Sequence, residues 1–230
     1  MTQPLTIGFL LFPRLTQLDF TGPFEVLSRL PGATVKLLWK QAGPVRSDTG
    51  LTMLADTALA EAPPLDIICV PGGPGVAALM EDAEVLDFLR AQAPGARYVT
   101  SVCTGALVLG AAGLLRGKRA TTHWASHDFL AELGAVPVQG RVVRDGKVFT
   151  GGGVTAGIDF ALAIAAEIAG PAVAQAIQLQ IEYAPEPPFN AGTPATAPAE
   201  VLVAAQARGA GMRAERVALV ARVAARLAAA

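Results

Sequence analysis

Short apolar runs recur along the chain, and each is stopped by residues that cannot extend it. Residues 5–12 form a nearly continuous run ending at Pro13, and residues 35–39 form another. Residues 66–70 run into Pro71-Gly-Gly-Pro-Gly75, and residues 98–102 run into Cys103-Thr-Gly105. Runs this short, without polar alternation, fit strands buried on both faces, which belong to parallel sheets covered by helices. Helical patterns fall between them. Thr21-Gly-Pro-Phe opens a helix through Leu30, with Thr21 as N-cap and Pro23 in the first turn. Further helices are predicted over residues 85–92, from Cys103 to about Ala112 with Gly113 as the cap, over 126–133, and over 158–169. Hairpins are expected around Ser47-Asp-Thr-Gly50 and across 142–149, where Asp145-Gly146 supplies the turn, and a short strand over 119–122. The fold class is therefore α/β, with a mostly parallel sheet flanked by helices on both faces.

The material for such a core is present. Hydrophobic residues make up 52% of 230 residues and charged residues 16%. A formal net charge of -1 offers no general attraction for nucleic acid or an anionic membrane. The apolar runs are too short or too interrupted to span a bilayer. Met1-Thr-Gln-Pro-Leu-Thr lacks the basic start and apolar stretch of a secretory signal. With only Cys69 and Cys103, a disulfide framework is not expected, and a cytoplasmic location follows. His123 and His127 lie four apart, but no cluster of further ligands completes a metal site, so none is expected.

In parallel sheets, sites form beyond the carboxyl ends of the strands. Cys103, the loop 71–75 and the segment 17–22 all follow predicted strands and so converge on one edge. Cys103 is the candidate nucleophile. It stands where a buried strand ends and a helix begins, so the first helix amides, from Thr104 and Gly105, point at its sulfur and favour an anion near neutral pH. Cys69, inside Ile67-Ile-Cys-Val70, reads as a small core hydrophobe. Asp19 is the candidate acid and base, since a carboxyl between Leu18 and Phe20 loses solvation and its pKa rises. A helix cap or surface turn is the competing reading of Asp19. The amides of Gly72 and Gly73 are candidates for holding negative charge that develops near the sulfur, and Gly152 for the same task or for backbone packing. Loop 71–75 has neither Rossmann spacing nor a P-loop lysine. His123 is read as structural, with a role as base for Cys103 left open.

Domain boundaries are placed at 1–194 for the catalytic unit and 195–230 for a helical extension, packed on the same domain or on a dimer partner. Residues 184–194 carry too many prolines for a helix and should form an extended arm. The Ala-rich tail from Pro198 reads as helix. Its arginines at 208, 213, 216, 222 and 226 fit a solvated face, with nucleic-acid contact as the alternative.

Leu18-Asp-Phe-Thr-Gly-Pro23, Val70-Pro-Gly-Gly73, Ser101-Val-Cys-Thr-Gly105, Ala120-Thr-Thr-His-Trp124 and Thr150-Gly-Gly-Gly153 together resemble the ThiJ/PfpI superfamily. The resemblance implies a flavodoxin-like fold, similar to class I glutamine amidotransferases, with the cysteine on a nucleophile elbow. Ile7-Gly-Phe-Leu-Leu-Phe-Pro13 and Glu182-Tyr-Ala-Pro-Glu-Pro-Pro-Phe-Asn-Ala-Gly192 extend it, nearly end to end, to the isocyanide hydratases. Many superfamily members place glutamate opposite the cysteine; here the matching residue is Asp19, as in the hydratases. The implied reaction is hydration of R–N≡C to a formamide through a thioimidate on Cys103. Asp19 would serve as general acid and base, and Thr104 would contribute its amide or hydroxyl. The resemblance implies no metal or organic cofactor, partners limited to isocyanide and water, and a homodimer.

Two other readings remain open. One is a ligand-sensing domain related to AraC-type regulators, although those carry a further pair of helix-turn-helix units for which this chain ends too early. The other is amidase or glyoxalase chemistry at the same thiol.

Overall fold

A computed structural model describes residues 4–229. The expectation about a leader at Met1-Thr-Gln, and the last residue of the predicted tail helix, Ala230, lie outside them. The elements run β1 (Leu5–Leu10), α1 (Gln17–Leu27), β2 (Ala33–Trp39), β3 (Gly43–Arg46), β4 (Thr52–Ala55), β5 (Thr57–Ala58), β6 (Ile67–Val70), α2 (Val76–Leu79), α3 (Ala83–Gln92) and β7 (Tyr98–Val102). They continue with α4 (Gly105–Ala111), β8 (Arg119–Ala120), α5 (Phe129–Glu132), β9 (Val136–Pro137), β10 (Val142–Asp145), β11 (Val148–Gly151), α6 (Ala156–Ala169), α7 (Pro171–Gln180) and α8 (Ala199–Ala229).

The main sheet has seven strands in the order β10-β11-β7-β6-β1-β2-β5. All neighbours are parallel except the β10–β11 hairpin. The apolar runs become its centre, where every residue of β6 and β7 is buried. Burying both faces removes the polar alternation that an exposed strand would show. With helices on both faces, the sheet has the flavodoxin-like architecture.

Two local expectations are corrected, and one helix is added. Helix α1 starts at Gln17, after Thr16, whose side chain makes no capping bond, so Thr21 lies inside it and Pro23 is interior rather than in the first turn. Pro23 has no N–H for the Asp19 carbonyl, and its ring fits against Gly157 of α6, where a Cβ would lie 2.7 Å from Pro23 Cδ. The helix predicted over 126–133 is a 3-10 turn at Trp124–Ser126 followed by the short α5. Helix α7 had not been anticipated; Gly170, at φ 88°, breaks the chain from α6, and Pro171 opens α7 at its first turn.

The tail forms one 31-residue helix, α8, which packs on α4 and α5 of the same chain. Its arginines are not simply a solvated face. Arg213 pairs with Asp128, Arg222 with Glu81, and Arg226 donates to the Met80 carbonyl. Arg216, Leu219, Val220 and Val223 are buried, one helical stripe.

Candidate active site

Cys103 directly follows β7 and precedes α4. Its φ of 53° lies in the left-handed region that side chains with a Cβ rarely adopt. Neighbouring bonds hold it there: its N–H donates to the Gly151 carbonyl at 2.9 Å, and Thr122 Oγ1 donates to its carbonyl at 2.6 Å. The next turn passes so close to β6 that a Cβ on Gly105 would collide with the carbonyl oxygens of Val70 and Pro71. A strained strand-to-helix elbow of this kind lifts the side chain out of the sheet end.

Asp19, in the first turn of α1, is fully buried. Its Oδ2 accepts the Gly72 amide at 2.8 Å. The other oxygen, Oδ1, has no nitrogen or oxygen partner, and the Cys103 side chain is the group that the carboxyl meets. Burial pushes the carboxyl up to about 7, against a lowering by the Gly72 amide and the Cys103 hydrogen bond. The surface-turn reading of Asp19 is thereby overturned.

The thiol is also pushed up, first by burial and then by the charge of Asp19, against the Thr104 amide and hydroxyl, which favour the anion. The expected pull of the helix-start amides is present, but it does not act alone. Desolvation works against any isolated charge at this depth. Both groups are thus pushed toward their protonated forms, and their titrations are coupled through the contact between them. When Asp19 is protonated, the charge that opposes the thiolate is gone.

The glycines take different places from those expected. Gly72 and Gly73 lie beside the pair, yet their amides are already engaged, Gly72 on Asp19 and Gly73 on Thr104 Oγ1 at 3.0 Å. Their N–H groups hold the Asp19 carboxyl and the Thr104 hydroxyl in place. Gly152 does not line the cavity that holds Cys103, and its N–H donates to the Arg141 carbonyl at 2.9 Å. It has no free amide to offer and serves backbone packing.

A cavity of about 280 Å³ opens over the sulfur, between Thr16, Pro74, Val154 and Ser126 and the α8 residues Met212 and Arg216. His123 reaches it too, but its Nδ1 accepts the Ala125 amide at 3.4 Å, and burial and the nearby Arg216 hold it below the usual histidine range. That leaves it neutral at the cavity wall. Sequence reasoning missed the α8 wall altogether. The signal was there: Arg216 falls in register with Leu219, Val220 and Val223, three, four and seven residues on. Cys69 is fully buried and its thiol is pushed up to about 12 by desolvation, in keeping with a core role. Among the described residues no cluster of three or more His, Cys, Asp or Glu could hold a metal ion, and no helix is long and apolar enough to cross a membrane.

Residues 6–167 match a model of the DJ-1/PfpI family. The chain is 60% identical over 223 residues to an isonitrile hydratase of Pseudomonas putida, covering 97% of this chain and 98% of that protein. It superposes with a TM-score of 0.93 and 42% identity on the crystal structure of a ThiJ/PfpI family protein from Pseudomonas syringae, covering 95% of this chain and 91% of that one. An HTH-type transcriptional regulator of Pseudomonas aeruginosa is 30% identical over 191 residues, 78% of this chain but 51% of the regulator.

Proposed function

Since the chain belongs to the DJ-1/PfpI family, we propose that it is an isocyanide hydratase, adding water to R–N≡C to release an N-substituted formamide. The likeness to the Pseudomonas putida isonitrile hydratase over nearly the full length of both chains supports the substrate class. The chemistry rests on one observation, the buried Asp19 carboxyl, raised to about 7, against the Cys103 thiol.

The terminal isocyanide carbon carries a lone pair and accepts a nucleophile. The Cys103 thiolate forms a C–S bond to it while protonated Asp19 delivers its proton to the same carbon. The product is a thioimidate, Cys–S–CH=N–R, with Asp19 left as carboxylate. Asp19 next takes a proton from water as the oxygen adds to carbon, and passes that proton to nitrogen. In the last step it takes the hydroxyl proton, the C–S bond breaks and the carbonyl forms. Thiolate and carboxylic acid are restored, and the sum is R–NC plus water to R–NH–CHO. A carboxyl near pKa 7 suits both directions of transfer.

Thr104 supports the anion through its amide and hydroxyl, and its Oγ1 is steadied by the Gly73 amide. The apolar wall at Pro74, Val154 and Met212 is suited to a hydrocarbon substituent. No metal or organic cofactor enters the cycle. The proposal includes a homodimer, for which exposed Leu179 and Phe189 offer apolar surface, and a cytoplasmic location.

Incubation with cyclohexyl isocyanide, followed by chromatography for N-cyclohexylformamide, tests the reading. The intact protein should form the formamide, and Cys103→Ala, folded by circular dichroism, should not. Absence of product from the intact protein would refute it.

A further inference from the structure

Arg216 is buried to 7% exposure at the wall of the Cys103 cavity, and no carboxylate among the described residues pairs with it. Its Nη1 donates to Ser126 Oγ at 2.9 Å and its Nη2 reaches the Met212 thioether at 3.6 Å, while Nε is buried with no partner at all. A buried guanidinium without a counter-charge is costly, and removing its water is not offset by a hydroxyl and a sulfur. The neighbouring Arg213 shows the contrast, since it is neutralised by Asp128.

On the other side of the same cavity stands the Cys103 thiol, against the Asp19 carboxyl. When the thiol ionises, a buried negative charge appears there. Among the groups around it, Asp48 adds negative charge behind Asp19, and His123 is held neutral. Helix α4 and strand β7 bring no charged side chain to it. Burial holds the Arg216 guanidinium below its usual range, and the charge of Cys103 works in the opposite direction, favouring the cation. Each orphan supplies what the other lacks.

We propose that Arg216, brought in by the C-terminal helix, is a positioning residue that acts as the counter-charge holding the Asp19–Cys103 pair in its singly anionic, reactive state. Helix α8 lies beyond residues 6–167, the part that matches the family model. The shared elbow is thus completed by a segment outside that match, which also contributes Ala205, Gly209 and Met212 to the cavity. Charge in a site of low dielectric acts over a distance at which it would be screened in water, so direct contact between guanidinium and sulfur is not required.

The proposal rests on Cys103 as nucleophile, but its test reads the thiol and not the substrate. The rate of Cys103 alkylation by iodoacetamide is followed against pH by peptide mass spectrometry, with buried Cys69 as internal control. Arg216→Met, of similar length and without charge, should move the midpoint of thiolate formation up by about one pH unit, a roughly tenfold slower alkylation at pH 7. Arg216→Lys should stay near the intact protein. Arg216→Gln, which keeps a donor for Ser126, gives the same upward shift and serves if the Met variant fails to fold. An unchanged midpoint in either folded uncharged variant would overturn the proposal. Failure to hydrate isocyanides would leave this alkylation result standing, so the two readings fail separately.

Discussion

Asp19 is held by Gly72 through one oxygen only: Oδ2 accepts the Gly72 amide at 2.8 Å, the equally buried Oδ1 has no hydrogen-bond partner, and the carboxyl lies against Cys103. The glycine is needed for more than that bond. A Cβ at this position would stand 2.7 Å from Thr104 Oγ1 and 2.8 Å from Asp19 Oδ2, forcing apart the two side chains that flank the sulfur. Gly72→Ala should therefore lower hydration on the order of 100-fold while costing about 1–3 kcal/mol of stability. Formamide formation and urea denaturation check the two halves. Near-normal turnover would show that Asp19 and Thr104 need no such registry.

The raised carboxyl makes stability depend on pH in a definite direction. Asp19 keeps its proton in the folded state up to about 7, whereas the unfolded chain releases it near the ordinary aspartate value of 3.8. Between those values the folded state binds more protons, so this group's contribution to stability falls as pH rises. The loss is at most on the order of 4 kcal/mol across the window. Asp19→Asn removes it, so the variant should gain on the parent protein from pH 4.5 to pH 8. Urea denaturation at both pH values measures the difference. An equal difference at both would mean that the carboxyl is not raised.

Gly73 holds the Thr104 hydroxyl beside Cys103, where the proposed mechanism uses it. Thr104→Ser keeps an acceptor for that amide and should retain most of the activity. Thr104→Val leaves the Gly73 N–H unsatisfied, at a cost of about 1–3 kcal/mol, and should lose turnover as well. Steady-state kinetics on the two variants separates the hydroxyl from the shape of the side chain. Equal activity in both would remove the hydroxyl from the chemistry.

How much of this was legible in the residues depends on how each feature is encoded. The central strands announced themselves, because burial on both faces leaves an unbroken apolar run in β6 and only the small hydroxyls of Thr100 and Ser101 inside β7. The elbow was legible because only a few residue types permit a helix to start so close to a strand, and Cys103-Thr-Gly105 is one such set. The start of α1 was not, since Pro23 looked like a first-turn residue, and only packing against Gly157 explains its place inside the helix. Glycine in loop 71–75 signalled that backbone comes close to something without saying to what. The answer, Asp19 and Thr104, comes from parts of the chain that only folding brings together. Arg216 was hidden by its charge: arginine on a helix is ordinarily solvated, and the apolar stripe that carries it inward begins just beyond it.

The proposed covalent step is open to direct observation. Wild-type protein mixed with excess cyclohexyl isocyanide, quenched in acid within the first turnovers and digested, should show the Cys103 peptide heavier by the mass of one isocyanide, decaying as formamide appears. A Cys103 peptide that stays unmodified throughout turnover, or a Cys103→Ala protein that still makes formamide, would contradict it.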